Sequence, residues 1–200
     1  MKIGIIGTGH IGTAFAGHVA KAGYELIISN RRGPESLKET VQQLGGNARA
    51  GTVEEAAQAD IVFVSVPFDN IKDALECLPD WEGRIVIDPT NAIVFPDFKP
   101  KDLGGRLSTE VFSDFVSGAR VVKAFNTLDA ALLAQSPDVA GGKRVIFISG
   151  NDTDANQSVK ELVKTLGFLP IVLGRLDEGG KLQHFGGPLP SHNFIDLPKQ

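Results

Sequence analysis

One cysteine stands in 200 residues, Cys77, so no internal disulfide and no cysteine-based zinc cluster can form. A single thiol fits a reducing compartment. Its setting, "IKDALECLP", reads as small helix packing. No stretch approaches the roughly 18 uncharged apolar residues that cross a bilayer. The opening "MKIGIIG" is too short and too interrupted by glycine for a signal peptide and reads as a first strand. A large excess of either charge is missing too. With 24 acidic and 20 basic side chains the net charge is -4, which argues against general attraction to nucleic acid or to an anionic membrane. Four histidines, His10, His18, His184 and His192, lie at scattered spacings without a matching carboxylate pattern, so no metal site is expected. These absences lead us to expect a soluble, cytoplasmic protein.

With 42% hydrophobic residues the chain can bury a full core. Aliphatic runs at residues 2–6, 24–29, 61–66, 84–88, 119–125, 144–149 and 168–173 alternate with helical patterns. That alternation predicts an α/β fold of Rossmann type, a doubly wound and mostly parallel sheet covered by helices. In the first helix Ile11, Ala14, Phe15, Val19 and Ala22 share a face, and Gly23 follows as its stop. Later, Asp152 is placed to cap a helix whose stripe is Val159, Leu162, Val163 and Leu166, with Gly167 ending it. After Gly174 glycine and proline accumulate, which predicts a short loop-rich segment instead of a second domain. We therefore expect one domain over residues 1–200. Its dinucleotide-binding core is residues 1–127, and the extension over 128–200 completes the sheet and a second-substrate pocket.

Directly after the first strand, "GTGHIG" holds Gly7, Gly9 and Gly12 in the spacing G-x-G-x-x-G and opens a helix. The spacing is a weak signal alone; between a strand and a helix it points to a dinucleotide. Gly7 serves the tight turn, Gly9 the approach of a pyrophosphate, and Gly12 close packing of helix on strand. A carboxylate is lacking at the end of the second strand, where it would bind the 2'-hydroxyl of NAD. "SNRRG" stands there instead. Asn30 can donate a hydrogen bond and Arg31 offers a planar cationic fork, with Arg32 beside them, so the pattern predicts the 2'-phosphate of NADP. Val66, Pro67 and Phe68 end the third strand over the dinucleotide. Asp88, Thr90 and Asn91 end the fourth, and Lys123, Ala124 and Asn126 the fifth. Asn91 and Asn126 fit ligand contact and local turn chemistry equally. Lys123 reads as strand-end packing, and His18 as structural.

Taken together, "IGIIGTGHIG", "SNRRG", "VPF", "DPTNAI", "VVKAFNT" and "LDEGGKLQHFGGPLP" resemble the F420-dependent NADP oxidoreductase family over nearly the whole chain. The resemblance implies hydride transfer between NADP(H) and coenzyme F420, an 8-hydroxy-5-deazaflavin, with a flavin as a related second substrate. It implies that Thr8, Gly9, His10 and Ile11 contact the pyrophosphate, that Asn30 and Arg31, with Arg32 nearby, hold the 2'-phosphate, and that Val66, Pro67 and Ala124 line the nicotinamide half. Asn30 stands where relatives often carry serine. A homodimer is expected on family grounds alone. Hydride transfer between stacked rings requires no protein acid, so no catalytic residue is named. The "FGGPLPSHN" segment, with the loops after the third and fourth strands, is expected to form the wall facing the nicotinamide. His184 and His192 flank its "FGGPLPS" part and could contact the second substrate, with a surface or local hydrogen-bonding role favoured. The alternatives are a non-catalytic NADPH sensor and an NADPH reductase of a small carbonyl, imine or metal-flavin substrate.

Overall fold

A computed structural model describes residues 1–198. The strands are β1 (Lys2–Ile6), β2 (Glu25–Ser29), β3 (Ala48–Ala50), β4 (Ile61–Val64), β5 (Ile85–Asp88), β6 (Ile93–Val94), β7 (Lys99–Pro100), β8 (Arg120–Ala124), β9 (Asp138–Val139), β10 (Gly142–Gly150), β11 (Leu169–Val172) and β12 (Ile195–Asp196). Between them lie α1 (His10–Lys21), α2 (Lys38–Leu44), α3 (Val53–Ala57), α4 (Ile71–Leu75), α5 (Ser108–Ser113), α6 (Ala130–Leu133), α7 (Thr153–Thr165) and α8 (Lys181–Gln183). The main sheet runs β11-β10-β8-β5-β4-β1-β2-β3, with β9 and β12 pairing onto β10. Succession leads outward from β1 to β2 and β3 on one side, and through β4, β5 and β8 on the other. The topological switch, where such sheets bind ligands, therefore lies between β1 and β4 at their carboxyl ends. No helix among the described residues is long and apolar enough to cross a membrane.

All seven expected strands are present, and the sheet is the mostly parallel one that the alternation implied. Two features differ from a simple reading. The edge strand β3 is a three-residue "ARA" segment, too short and too polar to stand out. More consequentially, β10 runs antiparallel to β8. The only helix between them, α6, has four residues and rises about 6 Å, well short of the roughly 17 Å of a five-residue strand. The chain cannot return across the sheet and re-enters it from the same edge. By contrast α7, thirteen residues or about 20 Å, spans the sheet, and β11 is parallel to β10. Asp152 caps α7 by accepting from the Ala155 N–H, as its position predicts.

Central strands are buried on both sides, which is why they read as unbroken aliphatic runs. Ile3, Ile5 and Phe63 pack under α1 and α7, while Ile6, Val62 and Val64 pack with Ala56, Ile71 and Phe112 on the other side. Phe15 from α1 is stacked on Phe63 from β4 at 3.9 Å between ring centres and meets the edge of Phe125 at 5.0 Å. This aromatic group fixes α1 over the switch point. His18, on the same helix, donates through Nε2–H to the Leu133 carbonyl at 2.6 Å and meets the Phe168 ring edge-on. Burial lowers its pKa below the ordinary imidazole value, in keeping with a neutral structural ring.

Phe15 is completely buried, so Phe15→Ala is expected to cost about 3–5 kcal/mol of unfolding free energy in urea. A loss under about 1 kcal/mol would mean that the stack does not anchor α1.

Candidate functional site

Backbone contacts at the switch point explain the three glycines. Gly7 has φ +99°, and a Cβ there would lie 2.1 Å from the Ser65 carbonyl oxygen. At Gly12 a Cβ would lie 2.1 Å from the Gly7 carbonyl oxygen. These two glycines let α1 press onto β1 and β4. Gly9 differs: a Cβ there meets nothing within 4 Å, so its surface opens into free space. It precedes α1, whose first turn carries no acidic residue and whose N-terminus receives no side-chain cap. Unpaired N–H groups at such an end favour an anion. The loop therefore has the shape and polarity a pyrophosphate needs. Thr8 is fastened on both sides, its carbonyl accepting from Thr13 Oγ1 and its Oγ1 accepting from Asn30 Nδ2 at 3.2 Å. His10 and Ile11 begin the helix wall, with His10 exposed.

Two adjoining cavities run along the carboxyl edge and share Gly9, Ser65, Val66, Pro67 and Asn70. One, of about 530 Å³, extends from Gly7 past Asn30 and Arg31 to Val53, Ala74, Cys77 and Leu78. Cys77 is exposed there. The expectation that it packs within a helix is corrected, because α4 ends at Leu75 and leaves the thiol on the groove. Asn30 organises the turn that carries the arginines: its Oδ1 accepts from the Arg32 N–H at 2.9 Å and lies 3.1 Å from Ser36 Oγ. Arg31 lines this cavity and Arg32 does not. Both are exposed, and neither guanidinium has a hydrogen-bond partner among the described residues. Ser36 escaped sequence reading because it sits six residues beyond Asn30, inside a 3-10 turn.

The other cavity, about 780 Å³, is walled by Ile11, Val66, Pro67, Phe68, Asn91, Asn126 and Leu128. Asn91 and Asn126 are joined reciprocally: Asn91 Nδ2 donates to the Asn126 carbonyl at 2.8 Å, and Asn126 Nδ2 donates to Asn91 Oδ1 at 3.0 Å. Both line the groove, and their hydrogen bonds join strand ends 35 residues apart in place of the local turn bonds that one reading expected. Behind them lies Gln183, fully buried, which sequence reading passed over. Its Nε2 donates to Asn126 Oδ1 at 3.2 Å and to the Phe147 carbonyl at 3.1 Å, while its Oε1 accepts from Ser149 Oγ at 2.5 Å.

Deeper still, Lys123 Nζ donates to Asp88 Oδ2 at 3.0 Å and to the Thr90 carbonyl at 2.8 Å. Asp88 also accepts from the hydroxyls of Thr90 at 2.6 Å and Thr109 at 2.7 Å. The ion pair is 1% and 0% exposed, so Lys123 is structural, and its cost is offset by the pairing and by the Thr90 and Thr109 hydrogen bonds.

Two expectations need correction. Ala124 does not line the groove; it is fully buried in the core cluster with Phe15 and Ile87, because strand alternation turns its methyl toward the α1 side. The "FGGPLPSHN" segment does not form the opposite wall either. That wall comes from the β6–β7 hairpin, through Ile93, Phe95 and Phe98, and from Leu128, Asp129 and Ala130. The glycine-rich segment buttresses the hairpin from behind, with Gly186 seated so closely that a Cβ would meet Pro100 Cγ at 2.6 Å. His184 and His192 accordingly lie off the groove. His184 is half-buried near the Ser108 N–H, its pKa lowered by burial and then by the Lys123 charge; His192 contacts the Pro190 carbonyl at 3.0 Å. No group of side chains suited to a metal ion occurs among the described residues.

The family described as NADP oxidoreductase, coenzyme F420-dependent, matches residues 2–92. Over that stretch, a little under half of its length, this chain is similar to that family of NADP-dependent oxidoreductases. A structure described as a candidate F420-dependent NADP-reductase from Arthrobacter sp. FB24 is 26% identical, covers 88% of this chain and 86% of its own, and superposes with a TM-score of 0.72. A hypothetical protein from Sinorhizobium meliloti is 50% identical over 98% of this chain and 96% of its own, with a TM-score of 0.93. The rat protein Metalloreductase STEAP3 is 26% identical over 88% of this chain, which spans 34% of that protein.

The glycine geometry separates folding from binding. Gly12→Ala is expected to lower stability by about 1–3 kcal/mol, since backbone must move. Gly9→Ala should cost less than about 1 kcal/mol. Equal thermal midpoints for the two variants would contradict the packing described. Lys123→Met should cost about 3–5 kcal/mol in urea, and adding Asp88→Asn should recover much of it; a double variant no better than the single would show that the stranded carboxylate is not the cause.

Proposed function

We propose that this chain binds NADPH along the two adjoining cavities and passes its hydride to a deazaflavin such as coenzyme F420, or to a flavin-like ring. The observation that carries this reading is the continuity of the groove. It runs from Arg31, past the open face of Gly9 and the uncapped start of α1, to the paired amides of Asn91 and Asn126. In it the Arg31 guanidinium, with Arg32 near, neutralises a 2'-phosphate, while Asn30 keeps the turn in place and retains one free amide hydrogen. Gly7, Thr8, Gly9, His10, Ile11 and Gly12 supply the phosphate loop. Val66, Pro67 and Phe68 cover the middle of the dinucleotide. Asn91 keeps one N–H and one oxygen lone pair free, a donor and acceptor matched to a carboxamide.

When bound, NADPH supplies the hydride; the chain's own part is to orient two flat rings and keep water from between them. No residue is assigned as a proton donor. The small-molecule acceptor is the partner in this reading, with neither nucleic acid nor membrane involved, and with a homodimer in the cytoplasm on family and compositional grounds. A sensor would need only the nucleotide half. The apolar continuation past Asn91 to Leu128 favours a second substrate.

Steady-state NADPH oxidation with F420, FMN and FAD, set against a small cyclic imine, tests the reading. Turnover of a ring acceptor is expected, and tight NADPH binding without turnover of any would favour the sensor. In fluorescence titrations Arg31→Ala should weaken NADPH by about tenfold or more, roughly 1.4 kcal/mol, and leave NADH within about twofold. An equal loss for both would remove Arg31 from 2'-phosphate recognition.

A further inference from the structure

The β6–β7 hairpin places two large aromatic side chains in solvent where neither the core nor the backbone calls for them. Phe95 is 67% and Phe98 65% exposed, and their rings meet edge to face at 5.1 Å. Phe98 adopts φ +51°, a conformation natural for glycine and unfavourable for a bulky residue. A turn selected for folding alone would not carry phenylalanine there. Both rings line the larger cavity, across from the Val66, Pro67 and Phe68 wall. The hairpin is also held firmly. Lys101, just past β7, pairs with Asp69 on the opposite wall and donates its N–H to the Ala92 carbonyl at 3.0 Å, while Gly186 packs against Pro100 from behind.

The other groups of this cavity bear on what it accepts. Of its carboxylates, Asp69 is engaged by Lys101, and Asp129 caps α6 by accepting from the Leu132 N–H at 2.8 Å. His10 stands exposed on the glycine-loop wall. Reduction of a small carbonyl or imine needs a proton at the substrate heteroatom; both carboxylates of the cavity are already engaged, and His10 is the remaining titratable side chain of its lining. A fused ring that spreads the incoming charge has no such need.

We propose that Phe95 and Phe98 are the stacking wall for a flat, multi-ring aromatic acceptor, and that they make the groove selective for such rings over small carbonyls or imines. The inference rests on the hydride-transfer reading above and adds to it the residues that select the ring. In the reaction the C–H bond at nicotinamide C4 breaks, and a new bond to hydrogen forms on the acceptor ring with both electrons. NADPH leaves as NADP+, and the ring's negative charge is delocalised or neutralised by a solvent proton.

The test uses Phe95→Ala, Phe98→Ala, the double variant, and Phe95→Trp with Phe98→Trp. For FMN and F420 the KM should rise about tenfold in the double-alanine variant, in line with alanine substitution of stacking aromatics, while NADPH affinity stays within about twofold. FMN fluorescence should be quenched on binding in the presence of NADP+. Quenching should be lost with alanine and restored with tryptophan. Unchanged KM values, or quenching that survives both alanines, would overturn the inference. So would a shift in oligomeric state by light scattering with acceptor kinetics intact, which would make the pair a contact between copies. If wild-type protein binds NADPH yet reduces no ring, the hydride-transfer reading fails, and quenching alone then decides the stacking wall: its absence in wild type overturns it.

Discussion

The approach of α1 to the crossing of β1 and β4 is the constraint on which the remaining architecture depends. The space at Gly7 and Gly12 is so limited that any side chain would meet carbonyl oxygens. Only because both are glycines can α1 descend far enough for Phe15 to stack on Phe63 and for the chain to leave β1 without a bulge into the groove. The same descent aims the uncapped start of the helix at open space over Gly9. Packing and groove geometry are therefore one feature: what closes the core on one side of the loop leaves an open, uncapped helix start on the other, a surface suited to an anion.

A second layer of order lies behind the groove. The amides of Asn91 and Asn126 come from the ends of different strands, and each donates a hydrogen bond to the other residue. Gln183, from the far end of the chain, locks Asn126. Beneath them the Asp88–Lys123 pair joins β5 to β8 inside the sheet, with two threonine hydroxyls completing the carboxylate. Such a network is expensive to bury unless its members are paired, and here the two buried charges meet each other, two threonine hydroxyls and a carbonyl. Its consequence is rigidity at this end of the groove, the property that the proposed hydride transfer requires of a protein.

Much of this was legible in advance because it depends on local chemistry. Aliphatic runs mark strands buried on both faces, Asp152 marks a helix start, and glycine spacing after a strand marks the phosphate loop. What could not be read were relations between distant segments. Nothing around Cys77 shows that α4 stops before it. Nothing in "FGGPLP" distinguishes a segment that lines a groove from one that props up the hairpin lining it. Ala124 was misplaced because a motif marks a strand end without saying which face each side chain takes, and alternation put its methyl in the core.

The sequence by itself determined the fold class, the position of the glycine loop and the replacement of a carboxylate by Asn30, Arg31 and Arg32, since these follow from residue type and short spacing. Tertiary structure alone decided that β10 turns antiparallel, that Gln183 braces Asn126 and that Phe95 and Phe98 face the groove. The physical reason is one of range. Backbone preference and hydrophobic period act over a few residues, whereas a wall built from residues 66, 91, 98 and 126 exists only once the sheet has brought four separate loops to one edge.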